Sequence, residues 1–173
     1  MNNYFIILAA GSSKRFKAKR AKQYFFYKNK QIFEHSLIKS INSKLFKKII
    51  LVVDNPKNLK KKYSNNVIII KGGKERSDSS LIALKKIKKY KPKNVLIHDA
   101  ARPFCSNKLI LKILKRLDKN FSAIPYILSP DRKVVSKKEF NQNIKLIQTP
   151  QGFDYNTIFK SHVNTKINNA KDD

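Results

Sequence analysis

The chain has one cysteine, Cys105, and three histidines far apart at positions 35, 98 and 162. No intrachain disulfide can form, and no second Cys or paired His offers a zinc site. Glycine occurs four times and tryptophan not at all, which leaves few places where the backbone can turn freely or approach a ligand closely. Nothing near the ~20 consecutive apolar residues of a membrane span is present. The N-terminus runs from Met1 straight into Tyr4-Phe5-Ile6-Ile7-Leu8, without the basic segment, long apolar core and small-residue cleavage site of a secretory leader. These absences predict a soluble, cytoplasmic protein with no membrane partner.

Acid is scarce as well: 11 Asp and Glu stand against 39 Lys and Arg, for a formal charge of +28. Such a field attracts any polyanion and names none. Of the cations, 33 are lysine and six arginine, spread from Lys14 to Lys171 beside abundant Asn and Ile, a pattern that resembles coding bias toward A/T-rich codons. Nucleic-acid binders more often gather forked guanidinium groups and ring faces on one element. No such cluster is present, so nucleic acid is not the expected partner. What the chain does have is apolar material, 41% of its residues with 10% aromatic, and a length of 173 residues. That is enough for one core and suits a single domain.

Short apolar runs at Tyr4–Leu8, Lys48–Val53, Val67–Ile70, Val95–His98 and Ser122–Ile127 read as strands, with amphipathic helices at Ile32–Ile41, Ser79–Ile87 and Leu109–Leu117 among them. Apolar runs with little polar alternation suit strands covered on both faces, and intervening helices suit right-handed crossovers. The pattern predicts an α/β fold with a doubly wound, mostly parallel, Rossmann-like sheet whose ligand site lies where strands end. After Ile127 the rhythm changes. The Ser129-Pro130-Asp131 turn, a β-like run at Lys133–Ser136 and an extended piece at Ile144–Gln148 predict a protruding β-arm over about 128–148. Asp154–Val163 reads as a helix, and the polar Asn164–Asp173 stretch brings no closing strand.

Gly11 follows the first strand in Leu8-Ala9-Ala10-Gly11-Ser12-Ser13-Lys14-Arg15. Small residues there leave backbone N–H groups open to a phosphate, and Lys14 and Arg15 add charge; an ordinary strand-to-helix turn has the same look. The segment is neither a Walker A loop nor a dinucleotide fingerprint. Gly72-Gly73-Lys74-Glu75-Arg76-Ser77-Asp78-Ser79 lies between a strand and a helix. Two glycines there let a flat base approach the backbone, and Ser77 or Ser79 could cap the helix; a plain helix N-terminus is the alternative. In Val95-Leu96-Ile97-His98-Asp99-Ala100-Ala101-Arg102-Pro103, a strand delivers Asp99 at its end. A carboxylate so placed can hold a metal ion, a sugar hydroxyl or the neighbouring Arg102, while His98 reads as a packed strand residue. Gln148-Thr149-Pro150-Gln151-Gly152-Phe153 follows the arm and could return a loop to the same face.

Together and in this order, the Ala-Ala-Gly loop, Lys22-Gln23-Tyr24, the 72–79 segment, His98-Asp99-Ala100-Ala101-Arg102-Pro103 and Thr149-Pro150-Gln151 resemble the methylerythritol phosphate cytidylyltransferases over residues 4–173. The Ala-Ala-Gly loop alone is shared with many sugar nucleotidyltransferases; the combination is specific. The resemblance implies one nucleotidyltransferase domain over 1–173, in which a phosphate oxygen of 2-C-methyl-D-erythritol 4-phosphate attacks the α-phosphorus of CTP. Pyrophosphate leaves, and Mg²⁺ helps to neutralise the phosphates. The same resemblance assigns Ala9, Ala10, Gly11, Ser12 and Ser13 to the triphosphate, and Gly73 and Ser79 to cytosine. Arg15 and Lys22 would stabilise charge growing around the α-phosphorus. Asp99, Arg102, Ser129 and Thr149 would face the acceptor. No residue is assigned to a metal, and a homodimer through the arm is implied.

Three places depart from the family pattern. Lys74 stands where Asp is usual; Leu128 and Glu139-Phe140-Asn141 stand in the arm where Asp and Val-Asp-Arg are common; and after Lys171-Asp172-Asp173 the family's final strand and its lysine do not follow. Two other readings stay open: transfer to another polyol phosphate such as ribitol 5-phosphate, and a basic nucleotide- or nucleic-acid-binding relative without turnover.

Overall fold

Asn3–Ala9 form a strand, β1, in which every side chain except the half-buried Leu8 is buried. A strand this apolar needs cover on both faces, and alternate side chains reach two separate cores. Phe5, Ile7 and Ala9 point into one cluster, and Tyr4 and Ile6 into the other. The computed structural model describes residues 2–13, 20–59, 63–129, 133–135, 138–140 and 144–164. After β1 come β2 (Phe26–Tyr27), β3 (Lys30–Gln31), α1 (Ile32–Ser43), β4 (Lys48–Val53), β5 (Val67–Lys71), α2 (Arg76–Ile87), β6 (Asn94–Asp99), α3 (Asn107–Leu117), β7 (Ser122–Ala123), β8 (Tyr126–Leu128), β9 (Lys133–Val135), β10 (Lys138–Phe140), β11 (Lys145–Ile147), β12 (Gln151–Asp154) and α4 (Tyr155–Asn164).

The main sheet has the order β5-β4-β1-β6-β12-β7. Its first four strands are parallel, and β12 runs antiparallel to both β6 and β7. Helices cover the two faces as the apolar stripes require. Phe33 and Leu37 of α1, with Ile110, Ile113, Leu114 and Leu117 of α3, close the Phe5 side. Ala83, Leu84 and Ile87 of α2, with Ile158 of α4, close the Tyr4 side. Each such large side chain contributes about 1.5–3 kcal/mol by leaving water. The doubly wound, mostly parallel architecture expected from the alternation is the one found.

Helix starts are set by local hydrogen bonds. Gln31 and Glu34 form a reciprocal capping box at α1, and Ser106 caps α3 by accepting the Leu109 N–H at 3.1 Å. At α2 the box is Glu75 with Asp78, so the helix begins at Arg76 and neither Ser77 nor Ser79 is its cap. The β2–β3 hairpin, which the apolar pattern does not reveal, turns through Lys28 and Asn29, both at positive φ, the conformation of the tight hairpin turn.

The run Ser122–Ile127 is two strands instead of one. Pro125 has no N–H to extend a ladder, and pairing changes across it: β7 joins β12, whereas β8 pairs with β11 as the base of the arm. The β9–β10 pair lies within the same segment. β12 was hidden by its shortness and its glycine. Gly152 lies beneath α3, where an added Cβ would come within 2.3 Å of Ile113 Cγ2 and 3.1 Å of Leu117 Cδ1. Gly152→Ala is therefore expected to lower the unfolding free energy by about 1–3 kcal/mol through overpacking. Urea unfolding followed by circular dichroism should show a lower midpoint with an unchanged slope.

Candidate functional site

The sheet order reverses at β1: the chain goes outward through β4 and β5, then returns to the other side of β1 as β6. In open α/β sheets the ligand crevice lies outside the strands' C-terminal ends at such a switch point. The segments singled out in the sequence converge on this edge. Ala9–Ser13 leaves β1, Asp54 follows β4, Gly72 and Gly73 follow β5, and Asp99–Arg102 leaves β6.

The first loop is shaped from below by Gln23. This side chain is buried at 4% exposure and its Nε2 donates to the carbonyls of Ala9 at 2.8 Å and Gly11 at 2.7 Å. Ser13 Oγ donates to Gln23 Oε1 at 3.2 Å and accepts the Lys22 N–H at 3.0 Å. Ser13 itself sits at φ 51. Tyr24 adds a phenol bonded to the Ala9 carbonyl at 3.3 Å and to the Asp54 carboxylate. Burial, and then Asp54, push that phenol up from its ordinary range, so it remains a donor. The Lys22 side chain is exposed on the turn carrying these anchors. Among the described residues a Cβ on Gly11 would meet nothing within 4 Å, so the backbone at Gly11 is bare toward that side.

The second loop touches the first. A Cβ at Gly72 would fall 2.4 Å from Ala10 Cβ and 2.8 Å from Ser79 Oγ. Only glycine leaves room here for the Ala10 methyl and the Ser79 hydroxyl, and φ is not the reason, since no described glycine has a positive φ. Ser79, expected to face a base, is buried at 4% exposure, and its Oγ accepts the Gly73 N–H at 3.1 Å. It holds the loop onto the first turn of α2.

Asp99 occupies the opposite bank. Its carboxylate meets Arg76 Nε at 3.1 Å and Arg102 Nε at 3.5 Å, and the Arg102 guanidinium also bonds the Gln148 side chain. Beneath it lies His98, fully buried. Its Nε2 is 3.0 Å from the Arg102 carbonyl and 3.0 Å from Ser36 Oγ, and its Nδ1 is 2.9 Å from Thr149 Oγ1. A carbonyl can only accept, so Nε2 carries the proton and Nδ1 accepts from the Thr149 hydroxyl. Thr149 Oγ1 in turn accepts the Asp99 N–H at 3.3 Å. This one-way chain pins both ends of the Asp99–Arg102 turn. His98 is thus a packed strand residue, as its sequence setting suggests.

Of the sequence candidates, the structure brings Ala9 to Ser13, Lys22, Gly73, Ser79, Asp99, Arg102 and Thr149 to one edge of the sheet. Arg15 lies outside the described residues, as do Asn141 and the 165–173 segment. Ser129 belongs to the arm, where its N–H donates to the Ile144 carbonyl at 2.8 Å. Gln23, Tyr24, Arg76 and Gln148 were not picked out individually, although the Lys-Gln-Tyr and Gly-Gly-x-Glu-Arg patterns contained the first three and the Gln148–Phe153 segment the fourth. Among the described residues no group of three or more His, Cys, Asp or Glu could hold a metal ion. No helix among them is long and apolar enough to cross a membrane.

A family profile described as 2-C-methyl-D-erythritol 4-phosphate cytidylyltransferase matches residues 4–173. The chain is 44% identical over 180 residues to a bifunctional IspD/IspF enzyme of Pelagibacter ubique, covering 100% of this chain and 48% of that protein. It is 34% identical to a 2-C-methyl-D-erythritol 4-phosphate cytidylyltransferase of Clostridium botulinum, covering 98% of this chain and 80% of the relative. Its fold matches the bifunctional IspDF of Campylobacter jejuni with a TM-score of 0.84 at 29% identity, over 95% of this chain and 44% of the other. It matches the 4-diphosphocytidyl-2C-methyl-D-erythritol synthase of Anaerococcus prevotii with a TM-score of 0.81 at 28% identity, over 98% and 78%. The chain therefore spans about half the length of the bifunctional relatives.

The histidine beneath the crevice makes stability depend on pH. Burial pulls the His98 imidazole down from 6.5 to about 4. Between those values the unfolded chain binds a proton that the folded chain does not. Stability from neutral His98 is thus complete above pH 6.5 and is lost as pH falls toward 4, by about 3 kcal/mol for a gap of this size. Urea unfolding between pH 7 and pH 4.5 is expected to show a steeper loss for the native protein than for His98→Gln.

Proposed function

The chain belongs to the 2-C-methyl-D-erythritol 4-phosphate cytidylyltransferase family, and from that premise we propose that it transfers a cytidylyl group from CTP to 2-C-methyl-D-erythritol 4-phosphate, releasing pyrophosphate. The observation that carries this reading is the meeting of the Ala9–Ser13 loop, the Gly72–Gly73 loop and the Asp99–Arg102 turn at the switch point of one sheet. In the reaction, an oxygen of the acceptor phosphate forms a bond to the α-phosphorus as the bond to the bridging β-phosphate oxygen breaks. No covalent enzyme intermediate is needed; alignment and positive charge suffice.

The residues divide that work by chemistry. Gln23 takes the carbonyls of Ala9 and Gly11, so the loop's N–H groups are what it offers a triphosphate. Lys22 extends an exposed ammonium beside that loop, and Arg15 follows it in sequence. Gly73 presents bare backbone to cytosine, with Ser79 fixing the loop from beneath. Asp99 and Arg102 offer a carboxylate and a guanidinium to the hydroxyls and phosphate of the acceptor, while Thr149 keeps Asp99 in place. The family's relatives do not favour either alternative, the ribitol acceptor or a binding protein without turnover.

Magnesium fits this site as an ion carried by the nucleotide. Both Asp99 oxygens already face arginines, and a magnesium ion takes phosphate oxygens and water with at most one or two carboxylates. When bound it would offset charge on the triphosphate. The arm supports a homodimer: Tyr126, Leu128 and Ile147 on one face of the β8–β11 pair, and Ile127 and Leu146 on the other, are all exposed large apolar side chains, and exposed apolar surface of that kind marks an interaction surface.

Two measurements test the reading. Pyrophosphate release from CTP and Mg²⁺ is expected to depend on 2-C-methyl-D-erythritol 4-phosphate and to fall about 10²–10³-fold in Arg15→Ala or Lys22→Ala; acceptor-independent release, or none from folded protein, would reject it. Sedimentation at micromolar concentration is expected to show a dimer, and a persistent monomer would count against the arm as its interface.

A further inference from the structure

The two halves of the crevice are joined by a side chain to which neither the family resemblance nor the catalytic reading gives a role. Arg76 is the first residue of α2, directly after the Gly72–Gly73 loop. That loop and the helix start form one unit, held by the Glu75 and Asp78 capping box and by the Ser79 bond to Gly73. From this unit the Arg76 Nε reaches across to Asp99 Oδ1 at 3.1 Å, with its side chain only 22% exposed. Asp99 belongs to the other unit, fixed through its own N–H to Thr149 and through Thr149 to His98.

We propose that Arg76 is a positioning residue that links the nucleotide half of the site to the acceptor half, so that the loop which takes the base also sets the carboxylate which takes the acceptor. The inference rests on the functional reading above. A guanidinium has a planar, fixed fork, so its bond to Oδ1 constrains the rotation of the Asp99 carboxylate as well as its charge. When a nucleotide rests on the Gly72–Gly73 loop it restricts the start of α2, and Arg76 passes that restriction to Asp99. Linkage makes the effect reciprocal: whatever the nucleotide does for acceptor affinity, the acceptor does for nucleotide affinity. Arg102 remains on Asp99 Oδ2 at 3.5 Å when Arg76 is replaced, so Asp99 keeps a cationic partner and folding is expected to survive.

The test is calorimetric titration of the full chain with 2-C-methyl-D-erythritol 4-phosphate, alone and in the presence of a CTP analogue with a methylene between the α- and β-phosphorus atoms. In the native protein the analogue is expected to tighten acceptor binding at least about fivefold, the lower end of ordinary coupling between sites. In Arg76→Gln that ratio should approach one, and in Arg76→Lys, which keeps charge without the fork, it should lie between. A merely structural role would lower the melting temperature of the variants and leave the ratio alone. A native ratio of one, or an unchanged ratio in folded Arg76→Gln, overturns the proposal. If the Gln variant does not fold, Arg76→Lys decides: a reduced ratio supports the link and an equal ratio overturns it. Failure of both ligands to bind the native chain would instead reject the functional reading, and the inference with it.

Discussion

The constraint on which the rest of the molecule depends is the burial of β1 on both faces. A strand with apolar side chains pointing both ways can satisfy its backbone only inside a sheet, and its side chains only between two helical layers. β4 and β6 supply the ladders on either side; α1 with α3, and α2 with α4, supply the layers. Because the chain leaves β1 toward β4 and returns on its other side as β6, the loops after β1, β5 and β6 gather at one end of the sheet. The crevice is a consequence of how this strand is covered.

Within the crevice, polar satisfaction does what apolar packing does beneath it. Gln23 occupies the carbonyls of the first loop, Ser79 takes the N–H of the second, and the His98–Thr149 chain takes the N–H and carbonyl that bracket the Asp99–Arg102 turn. Each buried partner would cost about 1–3 kcal/mol if left unmade, so the loops have little freedom to rearrange. In a chain of +28, the two arginines facing Asp99 form a local arrangement distinct from the diffuse lysine field. The field attracts anions of every kind, while the guanidinium groups of Arg76 and Arg102 are fixed on one carboxylate.

Much of this was legible in the chain itself. Runs such as Lys48–Val53 and Val95–His98 could hardly be anything but covered strands, and the small-residue segments at their ends marked the loops that converge. Less legible were elements whose reason lies elsewhere in space. β12 is four residues with a glycine, intelligible only once Ile113 of α3 is seen to occupy the place of the missing Cβ. The break at Pro125 depended on which strand each half would pair with, and the earlier start of α2 on a capping box between two acidic side chains.

By itself the sequence determined the fold class, the order of the long strands and helices along the chain, and the family, because hydrophobic periodicity and short loop motifs are local properties that survive without coordinates. Tertiary structure alone decided that Ser79 supports its loop from beneath, that Gly72 is a contact point with Ala10, that Gln23 shapes the first loop, and that Arg76 and Asp99 face each other across the crevice. Those are relations between residues 6 to 62 positions apart. Direction and distance, which no one-dimensional pattern contains, are set only when both faces of β1 are covered.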